Sequence, residues 1–217
     1  MKRMIVIGAC IAAVVTGCMT MTPEEKRAAI EKEYARIASL PPPKRIIVND
    51  KALNDLGLVA CDNFSFAHRL MKEYVAATEN NRDYVGFLND IQYFVKEEGL
   101  SEQDAYNKAW AAVLEHDAKV AEAEKVGPRI IKGAAAVRAL DPKKKLAELA
   151  IIGIEIAKAS KSASQLKNSF KGFDAGTIAK AAAAANIIKQ LSEALECHAF
   201  TLEQYRRVQL VRANAGE

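Results

Sequence analysis

The chain has 217 residues, 50% of them hydrophobic and 6% aromatic, with 31 Lys or Arg against 27 Asp or Glu and a formal net charge of +4. That apolar share allows a core and excludes a chain too polar to fold, and the length suits one substantial helical domain or two small ones. Much of the apolar content is alanine, which favours helices that approach one another closely over packing around large rings.

Lys2 and Arg3 give the chain a positive start, and Met4 to Val15 form an apolar run. The run is shorter than the roughly 20 apolar residues a bilayer-spanning helix needs, and it has the layout of a secretory signal. It closes on Val15-Thr16-Gly17-Cys18. Small side chains at Thr16 and Gly17 admit an enzyme to the backbone, and the Cys18 thiol supplies a nucleophile. These four residues resemble the lipobox of bacterial lipoproteins. The resemblance covers Met1 to Cys18 and names a sorting class, without an activity. It implies that residues 1–17 are a signal peptide that is removed. It also implies that Cys18 carries acyl chains such as palmitate, since stable anchoring takes more than one chain. Met19 in place of Asp implies the cell outer membrane facing the periplasm in a Gram-negative host, or exposure at the cell surface.

Residues 18–43 then read as a lipid-anchored tether and first helix. Thr22-Pro23-Glu24-Glu25 is a capping box with Pro at the first helical position, and it opens a helix to about Ser39. Ile30, Tyr34 and Ile37 lie on one stripe of it. Pro41, Pro42 and Pro43 end it with a stiff extended spacer, so the helix is expected as a stalk or as an outrigger on the body. Residues 44–217 read as the helical bundle domain.

Arg45 to Val48 is the single strand-like run, too short to make a sheet. Asn49 or Asp50 is expected to cap a short helix carrying Leu53, Leu56 and Val59. Asp62 or Asn63 is expected to cap a separate one carrying Ala67, Leu70, Met71 and Tyr74. From Asp83 to Glu98 the helical period places Tyr84, Phe87, Leu88, Ile91 and Phe94 on one face, and Gly99 stops it. Ser101 restarts a helix with Ala105, Ala109, Ala112, Val113, His116 and Val120 inward, broken at Gly127-Pro128 before a piece from Arg129 to Leu140.

Asp141-Pro142 starts a helix whose Leu146, Leu149, Ile151, Ile152, Ile154, Ile156 and Ala159 cover more than half its circumference. This marks it as the expected central helix. A polar turn over residues 167–176 precedes a helix from Thr177 to Cys197, and a separate last helix runs from Leu202 to Arg212. Glu148, Glu155, Lys158, Lys180, Lys189 and Glu193 interrupt the apolar stretches and argue against insertion in a bilayer. The expected fold is therefore all-α: a single bundle of about seven or eight helices with an N-terminal lipidated tether.

With Cys10 leaving in the signal and Cys18 acylated, Cys61 and Cys197 remain. Two thiols in an oxidising compartment are expected to pair. Closing the loop between them would stabilise by roughly 4–5 kcal/mol in the chain-entropy model. The alternative is two separate buried thiols.

Motifs for chemistry are sparse. None of His68, His116 and His198 follows Glu at the Glu-x-x-His spacing of di-iron bundles, and Cys-x-x-Cys is absent. No metal and no cofactor is expected. Cys197 and His198 diverge by about 100° on a helix and do not face each other. Ser164-Gln165-Leu166-Lys167 lacks the companion elements of penicillin-recognising enzymes. Residues 18–140 hold 17 basic and 19 acidic residues (−2), whereas residues 141–217 hold 12 and 8 (+4). The basic half is interleaved with acids, as on a solvated face, and nucleic acid is not an expected partner of an exported chain.

Three readings follow. The first is a non-enzymatic interaction or scaffold module, of secretion-system, envelope-assembly or toxin-protection type, contacting the bilayer through acylated Cys18 and an envelope protein through its body. In architecture alone it is similar to the pilotins, helical lipoproteins that escort secretion-channel subunits. The second is a carrier or sensor of an apolar small molecule in a chamber lined by Ile152, Ile156, Ile188 and Leu191. The third is a cell-wall or lipid-acting enzyme, which requires convergence among Glu97, Glu115, His116 and His198.

Overall fold

A computed structural model describes residues 22–172 and 174–214, with side chains through Val211. The signal segment, the lipobox and Cys18 lie outside the described residues. Among those described, the chain forms seven α-helices and no strand. They are α1 (Pro23–Ala38), α2 (Lys51–Thr78), α3 (Arg82–Glu98), α4 (Glu102–Asp117), α5 (Gly127–Arg138), α6 (Pro142–Ser169) and α7 (Ala175–Asn214). The all-α bundle expected from hydrophobic periodicity is what the chain adopts.

Helix α1 begins as its sequence dictates. The Thr22 hydroxyl accepts from the Glu25 amide, and the Glu25 carboxylate accepts from the Thr22 amide at 2.7 Å. The helix lies against the body as an outrigger. Arg27 reaches Asp90 of α3 at 2.9 Å, Arg36 reaches Glu196 of α7 at 2.8 Å, and the Tyr34 and Phe200 rings meet edge-on.

Helix α2 is one element of 28 residues where two were expected. Its buried positions Leu53, Ala60, Ala67 and Tyr74, with Gly57, Phe64, Met71 and Thr78, recur at heptad spacing straight through the supposed break. Only Asp50 acts as a cap, accepting from the Leu53 amide at 3.1 Å, while Asn63 is buried inside the helix. Continuous core contact outweighs the local turn preference of Asp62 and Asn63.

Helix α7 is likewise single and 40 residues long, joining the two helices expected on either side of residues 198–201. Ile187, Ala194, Thr201 and Val208 form one buried heptad row, and Cys197, Gln204 and Val211 another. Thr201 stays helical by returning its hydroxyl to the Cys197 carbonyl at 2.7 Å.

The centre of the bundle is the α2–α7 pair, with α6 laid against both. That corrects the expectation of α6 as the central helix. Leu149, Ile156, Ala159 and Ala163 of α6 are buried, but Ile151 and Ile154 are 61% and 59% exposed. Around the central pair the few rings cluster edge-on: Tyr74 with Phe200 and Tyr205, and Phe87 with Tyr106 and Trp110. Ring pairing of this kind adds to plain area burial.

Helix α4 stops at Asp117 and buries only Ala105, Tyr106 and Ala109; Ala112 and His116, expected inward, face water. The Asp117 carboxylate then accepts from the Val126 and Gly127 amides at 2.7 and 2.8 Å, tying the end of α4 to the start of α5.

Candidate functional site

On α6 the positions opposite the core read Lys143, Ala147, Ala150, Ile154, Ala157 and Lys161. Steps of four and three put them on one face. All six are exposed. Helix α7 returns antiparallel after the short turn at residues 170–174 and offers a matching row of Ile188, Ser192, Leu195, Ala199, Leu202 and Arg206. Between the rows lies an open trough of about 580 Å³, lined by Leu146, Ala150, Gly153, Ile154, Ala157, Leu195, His198, Leu202 and Arg206.

Gly153 makes the floor. A Cβ there would sit 2.7 Å from Nε2 of His198, so any side chain would collide with the imidazole. The ring uses that space to donate from Nε2 to the Leu149 carbonyl at 2.7 Å, a bond from α7 to a helical carbonyl of α6. The trough is therefore apolar along its walls with its one polar floor group already engaged.

Its ends are cationic. Lys143 and Arg206 stand toward one end, and Lys158 and Lys161 toward the other; none of the four forms an ion pair among the described residues. Other cations are held in ion pairs, such as Lys145 with Glu73 at 2.9 Å and Arg129 with Asp83 at 2.7 Å. From residue 156 to 192 the sequence carries six Lys against a single Asp. That stretch meets the trough only at Ala157, so it favours anionic groups at that end alone.

The residues singled out from sequence fare differently. Cys61 and Cys197 are free thiols, which corrects the expected disulfide. Cys197 is buried with its Sγ 3.6 Å from Sδ of Met71. Met71 follows Cys61 by ten positions on the same straight helix, an axial offset of about 15 Å, beyond the reach of any S–S bond. Burial pushes the Cys197 thiol up to about 12, with the carboxylates of Glu196 and Glu193 adding to the effect.

The four polar residues that an enzyme would need do not converge. Glu97 pairs with Lys26 between α3 and α1, and Glu115 of α4 pairs with Lys119 just beyond the end of that helix. His116 faces water beside Asp117 at 3.3 Å, and His198 is committed between α6 and α7. The carrier chamber is not formed around its four expected residues. Ile156 and Leu191 are buried in the core, and Ile152 and Ile188 pack against it. Tyr106 and Trp110 stack with ring centroids 6.1 Å apart and hold α4 against Phe87.

Sequence reasoning missed the polar seam at the centre. Arg207 is 1% exposed on α7, bonded to Glu203 and to Oε1 of Gln92, while the Tyr74 hydroxyl donates to Gln204 at 3.2 Å. Burial raises the Tyr74 and Tyr84 phenols far above their ordinary value. The heptad row could have flagged it, since Gln204 and Arg207 fall where apolar residues were due.

Among the described residues no cluster of His, Cys, Asp or Glu is arranged to hold a metal ion, and no helix is long and apolar enough to cross a membrane. No family model, curated protein or solved structure matches the chain.

Proposed function

We propose that this is a lipid-anchored envelope protein, held by acyl chains on Cys18, whose helical body works by contact with another envelope protein. One observation carries the reading. The bundle leaves a preformed apolar trough between α6 and α7 open to solvent, with Ile154 exposed on its wall beside a core that buries other isoleucines fully. Contiguous exposed apolar surface rimmed by polar groups is characteristic of interaction sites. The Val15-Thr16-Gly17-Cys18 box supports the anchor, and Pro41-Pro42-Pro43 separates the first helix from the remainder. The outer membrane facing the periplasm is the location that Met19 favours.

The test is metabolic labelling with an alkynyl fatty acid, followed by membrane fractionation of the wild-type chain and a Cys18→Ser variant. The expected result is label and membrane retention in the wild type and loss of both in the variant. Equal, label-free release of the two chains would remove the anchor.

A further inference from the structure

We infer that the α6–α7 trough receives an amphipathic helix of about three turns from a partner protein, with acidic side chains at both of that helix's ends. The inference rests on the contact reading above and names the partner's chemistry. Leu146 to Ala157 spans about 16 Å of α6, which three turns of a guest helix would match. The walls offer Leu146, Ile154, Leu195 and Leu202 to apolar residues spaced i, i+3, i+4 and i+7, the usual pattern of a helix lying in a groove.

Charge sets the guest's ends. Lys143 and Arg206 bracket one end of the trough and Lys158 and Lys161 the other, without an acid in either facing row. A guest with Asp or Glu at both termini of its apolar stretch meets a cation at each. Two other occupants fit less well. A second copy of α6 packed antiparallel on the same face would set Lys143 against Lys161 at both ends, a like-charge arrangement that opposes pairing. A flat anionic bilayer would rest on the ridges at Ile151 and Ile154 and leave the trough floor at Gly153 unfilled.

The experiment uses the full chain in the cells it comes from. The photoreactive residue p-benzoyl-phenylalanine replaces Ile154 on the exposed wall of the trough, and the cross-linked segment is sequenced by mass spectrometry. The expected adduct is a protein segment with apolar residues at helical spacing and acids at both ends. Its yield should fall at least tenfold in the Lys158→Glu/Lys161→Glu variant, whose exposed substitutions leave the core intact. Adducts to phospholipid alone, adducts to the same chain, or a protein adduct indifferent to the charge reversal would each overturn the inference. A second probe at Leu114, 57% exposed on α4, separates the two levels of the argument. Protein adducts at 114 with none at 154 overturn the trough and leave the contact reading standing; none at either position removes both.

Discussion

At the scale of single residues, close contacts decide more than chemistry does. Gly153 is required by the imidazole of His198, so Gly153→Ala forces the ring from the Leu149 carbonyl. Overpacking of this kind costs about 1–3 kcal/mol. Because the two side chains share one space, the Gly153→Ala penalty should shrink in a His198→Ala background. Urea unfolding of the two single variants and the double variant measures this, and strictly additive losses would contradict it. The thiols provide a second expectation. In the folded protein, iodoacetamide should modify half-buried Cys61 readily and Cys197 only after unfolding, without prior reduction. Intact mass checks it: a disulfide would block both positions until reductant is added. Burial opposes the Cys197 thiolate, and the thiolate is the reacting form.

At the scale of elements, α7 decides the architecture. A Pro at residue 199 would be tolerated if a loop lay between Cys197 and Leu202, as local composition suggests. In one continuous helix Ala199→Pro removes a backbone hydrogen bond and clashes with the preceding turn, costing about 3 kcal/mol or more. A melting midpoint close to that of the wild type would restore the two-helix description. Helix ends were legible wherever a cap or a glycine fixed them: Thr22, Asp50, Ser101 and Asp141 all accept from backbone amides, and Gly99 ends α3 in the left-handed conformation. Joins within α2 and α7 were illegible because Asn63 and Thr201 look like turn residues in isolation. Their helical state is set by what they face across the bundle. The trough was half legible for a related reason. The breadth of apolar surface on α6 was plain, but only packing tells which side meets α2 and α7 and which side stays in water.

For the whole molecule, stability should form a plateau bounded by two kinds of group. The carboxyls of Asp50 and Asp174 are held below the ordinary carboxylate range by backbone amide and side-chain hydrogen bonds. At Asp117 burial acts upward, and the Val126 and Gly127 amides outweigh it to lower the net value. A depressed carboxyl contributes stability that is present above its unfolded value of about 3.9 and lost as pH falls through the lower folded value. Buried Cys197 and Tyr84 have raised values, so their contribution is present below the unfolded values and lost as pH climbs toward the folded ones. Thermal melts from pH 3 to 11 should therefore be flattest between about pH 5 and 8.5. Asp117→Asn should blunt the acid limb while lowering the plateau; an unchanged acid limb would show that its two amide bonds do not couple to folding.

The uninterrupted length of α7 has one more consequence. Forty residues of helix make a rod of about 60 Å, and no hinge along it can absorb a change in register. Excising seven residues would turn the remainder by only about 20°, so inward and outward faces would stay in phase. Excising five would swing everything beyond the cut by about 140°, turning Arg207 toward solvent and Arg206 toward the interior. The chain can thus lengthen or shorten here almost only in heptads, a restriction that none of its shorter helices shares to the same degree.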